Sequence, residues 1–148
     1  MKTTWFSLIL VTLMTLFSAA NVAAHCEVPC GIYDDSLRMK IIAEHLTTIE
    51  KSMTNIVELS KQAPVNHNQL VRWISNKEEH ANKIQHIVSQ YFMTQRIKLD
   101  AKNYSEKLAV LHKMLVYAMN CKQTTDLTHV ATLRSLLKEF ETLYFGHQ

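Results

Sequence analysis

Apolar side chains recur every three or four positions in four separate runs along the chain. This spacing places side chains on one face of an α-helix, whereas a strand would alternate apolar and polar positions. Asp34-Asp35-Ser36 precedes the first run and supplies N-cap candidates, whose acidic groups favour the positive end of a helix. We therefore predict a first helix from this cap to about Ser60. Its apolar stripe consists of Ile42, Leu46, Ile49, Met53 and Ile56.

Pro64 and several polar residues between Lys61 and Asn66 predict a turn before the second run. This run predicts a second helix that ends near Arg96. Its stripe consists of Leu70, Ile74, Lys77, Ala81, Ile84, Val88 and Tyr91. Lys77 is the charged member, and its stem could snorkel past a bundle edge or its ammonium could reach the amino-terminal segment discussed below.

The last two runs predict a third and a fourth helix. Asn103 and Glu106 form a capping-box pattern ahead of the third helix, and Asp126 can cap the fourth. Gly146 is placed to end the fourth helix. The stripes consist of Leu108, Leu111, Leu115 and Ala118, and of Val130, Leu133, Leu137, Phe140 and Tyr144.

Four amphipathic helices joined by short loops predict an all-α fold, an up-down-up-down four-helix bundle over about residues 35–146. The chain has 148 residues and 47% hydrophobic content, which suits one domain, and its two glycines and two prolines are too few for an all-β protein. Apolar and aromatic residues off the stripes suggest faces buried against other subunits. They are Val71, Trp73, Phe92, Val116, Tyr117 and Phe145.

The formal net charge is +3, and basic and acidic residues are interleaved. This distribution gives no nucleic-acid footprint and no polybasic membrane patch. The histidines form no H-E-x-x-H pattern. His80 either belongs to a polar network with its charged neighbours or is a satisfied surface residue, and Cys121 is interpreted as a small buried residue rather than a ligand.

Residues 1–24 have the layout of a secretory signal peptide: a basic start at Lys2, an apolar core, and the small-residue end Val22-Ala23-Ala24. Cleavage after Ala24 would leave a mature domain of residues 25–148, exported to the periplasm or the extracellular space, with no membrane contact after processing. The alternatives are an uncleaved amino-terminal anchor and cleavage after Ala20.

The segment that follows, residues 25–33, is a candidate metal-binding hook. Cys26 and Cys30 are separated by three residues, which is weak evidence by itself, and they could instead form a small disulfide loop. If His25 becomes the first residue, the terminal amine, the Cys26 amide nitrogen and the two thiolates form a planar N2S2 set, with the His25 imidazole as a fifth ligand. Such donors suit Ni(II) better than zinc, which prefers a tetrahedron. Thiolates and an amide anion also stabilise Ni(III).

His25-Cys26-Glu27-Val28-Pro29-Cys30-Gly31-Ile32-Tyr33 resembles the nickel hook of the nickel-containing superoxide dismutases, whose pattern is His-Cys-x-x-Pro-Cys-Gly-x-Tyr at the mature amino terminus. Every fixed position is present. The rest of the chain is similar to the family in length and helical layout. Asn68 to Arg96, including Asn76-Lys77-Glu78 and Tyr91-Phe92, is similar to the second helix of some members.

The resemblance implies disproportionation of superoxide to oxygen and hydrogen peroxide through a Ni(II)/Ni(III) cycle, with one nickel ion per subunit. It implies that His25 provides the amine and axial imidazole, Cys26 an amide and a thiolate, and Cys30 the second thiolate. Tyr33 would lie beside the open face of the metal, ordering water and admitting only small anions. Tyr91 resembles the family's second tyrosine there, and the family assembles as a homohexamer.

The chain departs from better-known members at Glu27, Val28 and Asp35, where Asp, Leu and Pro are common. None of these residues is an implied ligand. The candidates for a basic residue that braces the hook are Lys77 and Arg72.

Two other hypotheses compete with the dismutase. One is a copper protein with an amino-terminal histidine brace, which needs a second histidine close to the first and is disfavoured by the two thiolates. The other is an exported helical-bundle binding protein with a Cys26–Cys30 disulfide.

Overall fold

The computed structural model describes residues 31–146. The bundle unit begins at Tyr33, and of the unit before it only Gly31 and Ile32 lie in this range. Within it the chain forms helices and no strand. The α-helices are α1 (Asp35–Ser60), α2 (His67–His86), α3 (Tyr104–Gln123) and α4 (Leu127–Phe145), and a π-helix (Ile87–Arg96) continues directly from α2.

Three of the four helix starts follow from side-chain caps. The Asp34 carboxylate accepts a hydrogen bond from the backbone N–H of Leu37 (2.8 Å), and this bond holds the pKa of Asp34 below its usual value. Asn66 caps α2 and Asp126 caps α4 in the same way. These caps confirm the predicted starts of the first, second and fourth helices.

The capping box predicted for α3 is wrong, although the helix begins where expected. Asn103 has a φ of +56°, in the left-handed region, and its side chain makes no capping hydrogen bond. An N-cap side chain reaches the first turn from an extended backbone, which Asn103 does not have. The helix ends were better predicted: Gly146 follows the last residue of α4, and its N–H donates to the Thr142 carbonyl (2.9 Å).

The helices close into the predicted four-helix bundle. Each helix packs against the one before it, and α4 returns to pack against α1. Short connections between successive neighbours make them antiparallel. The predicted stripes of α1 and α4 lie in the core, except that Tyr144 is only half-buried. None of the helices within residues 31–146 is long and apolar enough to cross a membrane.

Two stripes differ from the prediction. On α3 the fully buried face is shifted: Leu108 and Leu115 are half-buried, and the core positions are Val110, Leu111, Met114, Ala118 and Cys121. On α2, Ile74 is 40% exposed. The shift arises because α3 carries apolar residues on more than one face, so spacing alone does not decide which face the neighbouring helices cover.

The π-helix changes which residues reach the core. Its hydrogen bonds join residues five apart, as between the Ile97 N–H and the Phe92 carbonyl (2.9 Å). Each turn is therefore wider than an α-turn, and the adjacent residues Tyr91 and Phe92 are both buried. Phe92 is fully enclosed, so the prediction that it marks a spare surface is wrong.

Candidate functional site

The structure describes part of the predicted site. His25, Cys26 and Cys30 lie outside the described residues. Gly31 has a φ of +79°, a backbone conformation that glycine adopts without strain and other residues rarely adopt. Tyr33 and Tyr91 both belong to the bundle unit, and their positions can be compared directly.

The two predicted tyrosines are in contact. Tyr33 lies just before the Asp34 cap of α1, and Tyr91 lies in the π-helix. Their ring centroids are 5.8 Å apart with an interplanar angle of 69°, an edge-to-face arrangement. Tyr33 is 40% exposed and Tyr91 only 4%. One tyrosine of the pair therefore faces solvent, and the other forms the wall behind it.

A carboxylate beneath this pair accepts hydrogen bonds from three side chains. Oδ1 of Asp35 accepts from the Tyr91 hydroxyl (2.6 Å) and from Nε of Arg96 (2.8 Å). Oδ2 accepts from the Tyr144 hydroxyl (2.8 Å) and from Nη2 of Arg96 (2.7 Å). We call Asp35, Tyr91, Arg96 and Tyr144 the Asp35 cluster.

Burial and charge in this cluster act on the acidities in opposite directions. Burial alone would raise the pKa of Asp35, but hydrogen bonds from Arg96, Tyr91 and Tyr144 outweigh it and hold the pKa below its usual value. Burial and the bond to Asp35 raise the pKa of Tyr91, and the same two causes raise that of Tyr144 to about 12. At neutral pH the cluster therefore holds an ionised carboxylate and protonated phenols.

Guanidinium groups lie against both tyrosine rings. The Arg96 guanidinium carbon is 4.3 Å from the centroid of the Tyr33 ring, and that of Arg38 is 5.1 Å from the Tyr91 centroid. The Tyr33 hydroxyl donates to Oε1 of Gln95 over a long 3.4 Å. These basic residues were missed in the sequence, since neither lies on a stripe or in a motif.

The hook that Lys77 or Arg72 was predicted to brace lies outside the described residues, and neither residue contacts the tyrosine pair. The Lys77 ammonium is buried and donates to the carbonyls of Lys122 and Thr124 (3.1 Å for the latter), at the carboxyl end of α3. Lys77 thus neither snorkels to solvent nor lies beside Tyr33. Arg72 lines a surface cleft of about 400 Å³ with Trp73 and other residues of α2.

His80 belongs to a polar pair rather than standing alone. Its Nδ1 is 3.0 Å from Nδ1 of His45, on α1, and the rings meet edge to face. Burial and the neighbouring charge of His80 lower the pKa of His45 to about 4, and burial lowers that of His80. His45 lines a cleft of about 460 Å³ together with Arg38, Glu79 and His86.

Residues 31–146 contain no group of three or more His, Cys, Asp or Glu side chains arranged to hold a metal ion. Cys121 is fully buried, and burial raises the pKa of its thiol to about 11, which disfavours the thiolate form that binds metals. This confirms the interpretation of Cys121 as a packing residue. Within the described range, the bundle supplies the tyrosine pair but no metal-ligand set.

The family model described as nickel-containing superoxide dismutase matches residues 20–148, which include the whole hook and the bundle. The chain belongs to the nickel-containing superoxide dismutase family. It is accordingly a superoxide dismutase, an oxidoreductase with a nickel cofactor. No curated protein and no solved structure matches the chain significantly.

Membership of the nickel superoxide dismutases gives the contact between Tyr33 and Tyr91 its functional interest. Sequence reasoning found both tyrosines through the hook pattern and the Tyr91-Phe92 pair. It recognised Asp35 only as a cap candidate and a departure from the family pattern. The sequence held one signal for the role of Asp35 at the centre of its cluster, namely an acidic residue where proline is common in the family.

Proposed function

We propose that dismutation takes place at the amino terminus of the processed chain, with His25, Cys26 and Cys30 as the nickel ligands. Removal of residues 1–24 would free the His25 amine. An amine, an amide nitrogen and two thiolates are a strong-field set that suits a planar d8 ion, and imidazole is a further nitrogen donor. The family match includes all three residues, and the part of the chain that the structure describes offers no competing ligand group.

The overall reaction converts two superoxide anions and two protons into one molecule of oxygen and one of hydrogen peroxide. Bound nickel supplies the one-electron Ni(II)/Ni(III) couple for this exchange. The chain must hold the ligands, admit a small anion, exclude larger molecules and leave a path for protons.

The contact between Tyr33 and Tyr91 is the observation that carries this proposal. Tyr33 follows Cys30 by three residues, so the covalent chain keeps their Cα atoms within about 11 Å of each other. Tyr33 is partly exposed, and within the described residues its hydroxyl has only the long contact with Gln95. Tyr33 can therefore order water and narrow the approach to the metal, while Tyr91 forms the wall behind it.

Export and self-association complete the proposal. The layout of residues 1–24 supports secretion to the periplasm or the extracellular space. On α2, Val71 is 61% exposed and Ile74 40% exposed, and a contact with another subunit would cover them. By resemblance we propose a homohexamer, which sedimentation of the mature protein tests.

Amino-terminal sequencing and nickel analysis of the mature protein test the site. We expect a chain that begins at His25 and holds one nickel ion per subunit. A single alanine inserted before His25 should abolish dismutation without changing helical content, because the terminal amine moves out of reach. A mature chain that begins at another residue, or an insertion variant with full activity, would refute the proposed ligand set. A Cys26–Cys30 disulfide in the active protein would also refute it.

A further inference from the structure

The Asp35 cluster joins three elements at one end of the bundle. Asp35 is the first residue of α1, Tyr91 and Arg96 belong to the π-helix, and Tyr144 lies in the last turn of α4. The carboxylate is nearly saturated, because a carboxylate offers about four lone-pair sites and four short hydrogen bonds arrive here. A fully satisfied, partly buried network of this kind is rigid.

Arg96 connects this rigid network to Tyr33. The edge of its guanidinium carries the two N–H groups that bind Asp35, and its face lies 4.3 Å from the Tyr33 ring centroid. The planar, delocalised group can make both contacts at once, whereas a lysine ammonium is a point charge and cannot. The arginine that lies against the Tyr33 ring is thus itself held by Asp35.

The cluster also separates the two tyrosines chemically. The Tyr91 hydroxyl donates its hydrogen to Asp35 across 2.6 Å, so this hydrogen is not free for a ligand or a water on the other side of the pair. Tyr33 is 40% exposed, and among residues 31–146 its hydroxyl makes one hydrogen bond, the long contact with Gln95. Of the two phenols, that of Tyr33 has the weaker hydrogen bond, because its contact with Gln95 is long, and it can turn to donate toward an approaching anion.

We propose that Asp35 and Arg96 are positioning residues for superoxide dismutation, which hold Tyr33 over the approach to the metal and keep Tyr91 as a fixed wall. This inference rests on the proposed place of Tyr33 at the open face. It assigns a role to Asp35, where the family pattern commonly has proline, and to Arg96, which no motif singles out.

The test compares Arg96→Lys with Arg134→Lys. Arg134 is the matched control because it also forms an ion pair between helices, with Glu50 (2.9 Å), but its partner lies in the middle of α1, far from Tyr33. The first readout is the set of tyrosine ring resonances in the metal-free protein, with Tyr33→Phe used to assign the Tyr33 signals. The second is the second-order rate constant for superoxide loss in the nickel-loaded protein.

We expect Arg96→Lys to shift or broaden the Tyr33 resonances and to lower the rate constant at least about fivefold, because misplaced catalytic groups lose rate steeply. Arg134→Lys should leave both readouts unchanged. If Arg96→Lys does not fold, Asp35→Asn is measured in the same way, since it also releases the guanidinium.

The outcomes separate this inference from the proposed function. Wild-type resonances and a rate constant within twofold of wild type in folded Arg96→Lys would overturn the positioning role, provided that Tyr33→Phe slows the enzyme. A Tyr33→Phe variant with the wild-type rate constant would instead refute the place of Tyr33 at the open face, and the positioning role with it.

Discussion

Tyr91 donates its hydroxyl hydrogen to Oδ1 of Asp35 across 2.6 Å, although the two residues belong to different helices. Hydrogen bonds to a charged acceptor are stronger than those between neutral groups. Arg96 pairs with the same carboxylate through two nitrogens, and the Asp35 side chain is only 13% exposed. The free energy of unfolding of the bundle should therefore depend on the negative charge of Asp35.

The first prediction is that Asp35→Asn lowers the free energy of unfolding of the metal-free protein at pH 7 by about 2 kcal/mol. The substitution removes the charge that pairs with Arg96, and it places the NH₂ group of asparagine opposite a side chain that is itself a hydrogen-bond donor. Urea unfolding followed by circular dichroism measures this. Because the folded-state pKa of Asp35 lies below its ordinary value of 3.8, the stabilisation is present above that value and is lost as the pH falls through the folded pKa.

Asp34→Asn is the matched control, because Asp34 is fully exposed and asparagine caps helices as well as aspartate does. We expect Asp34→Asn to change the free energy of unfolding at pH 7 only slightly. An Asp35→Asn variant as stable as wild type at pH 7 would contradict the assignment of Asp35 as the ionised centre of its cluster.

The helices were largely predictable from the sequence because their determinants are local. Asp34 caps α1 by accepting from the N–H of Leu37, three residues ahead, and the stripe of α1 is set by spacing alone. The Asp35 cluster was not predictable, because its partners lie 56 to 109 residues away and no pattern encodes which of them meet. The hook was recognised as a motif, but its ligands lie outside the residues that the structure describes.

The π-helix and the partner of Lys77 are two further features that could not be predicted from the sequence. An apolar run with α-helical spacing does not reveal that its last ten residues will form a π-helix, in which Phe92 is buried beside Tyr91. Lys77 was placed correctly on the stripe of the second helix, but spacing could not show that the carboxyl end of α3 would receive its ammonium. A lysine on a buried stripe can be a helix cap as well as a functional group.

The second prediction concerns that cap. Lys77→Met should lower the free energy of unfolding by about 2 kcal/mol, because the carbonyls of Lys122 and Thr124 lose a charged donor at the negative end of α3. The rate constant for superoxide loss per bound nickel should stay unchanged in the folded variant. Urea unfolding and a dismutase assay on the nickel-loaded protein provide the two measurements.

Lys83→Met is the control for Lys77→Met. Lys83 pairs with Glu79 one turn away on an exposed face, so its replacement should cost at most about 0.5 kcal/mol. A large loss of activity in folded Lys77→Met would contradict this purely structural role and support the alternative in which Lys77 acts on the hook.

The third prediction concerns the pH dependence of the His45–His80 pair. The folded-state pKa of His45 is about 4, below the ordinary 6.5. As the pH falls, the His45 imidazole is therefore protonated in the unfolded chain before it is protonated in the folded protein. Stability is therefore complete above pH 6.5 and falls as the pH decreases toward 4. The full shift corresponds to about 3 kcal/mol, and screening at this part-exposed ring reduces the expected loss to about 1 to 2 kcal/mol.

Unfolding at pH 7.5 and pH 4.5 should show that His45→Gln removes this part of the pH dependence, whereas His112→Gln, at an exposed position on α3, keeps it. Lys83 lowers the folded-state pKa of His45 further and Glu79 raises it, so Glu79→Gln should leave the onset of the loss near pH 6.5 and extend the loss to lower pH. If the loss between the two pH values is the same in wild type and His45→Gln, the pair does not titrate as its contact predicts.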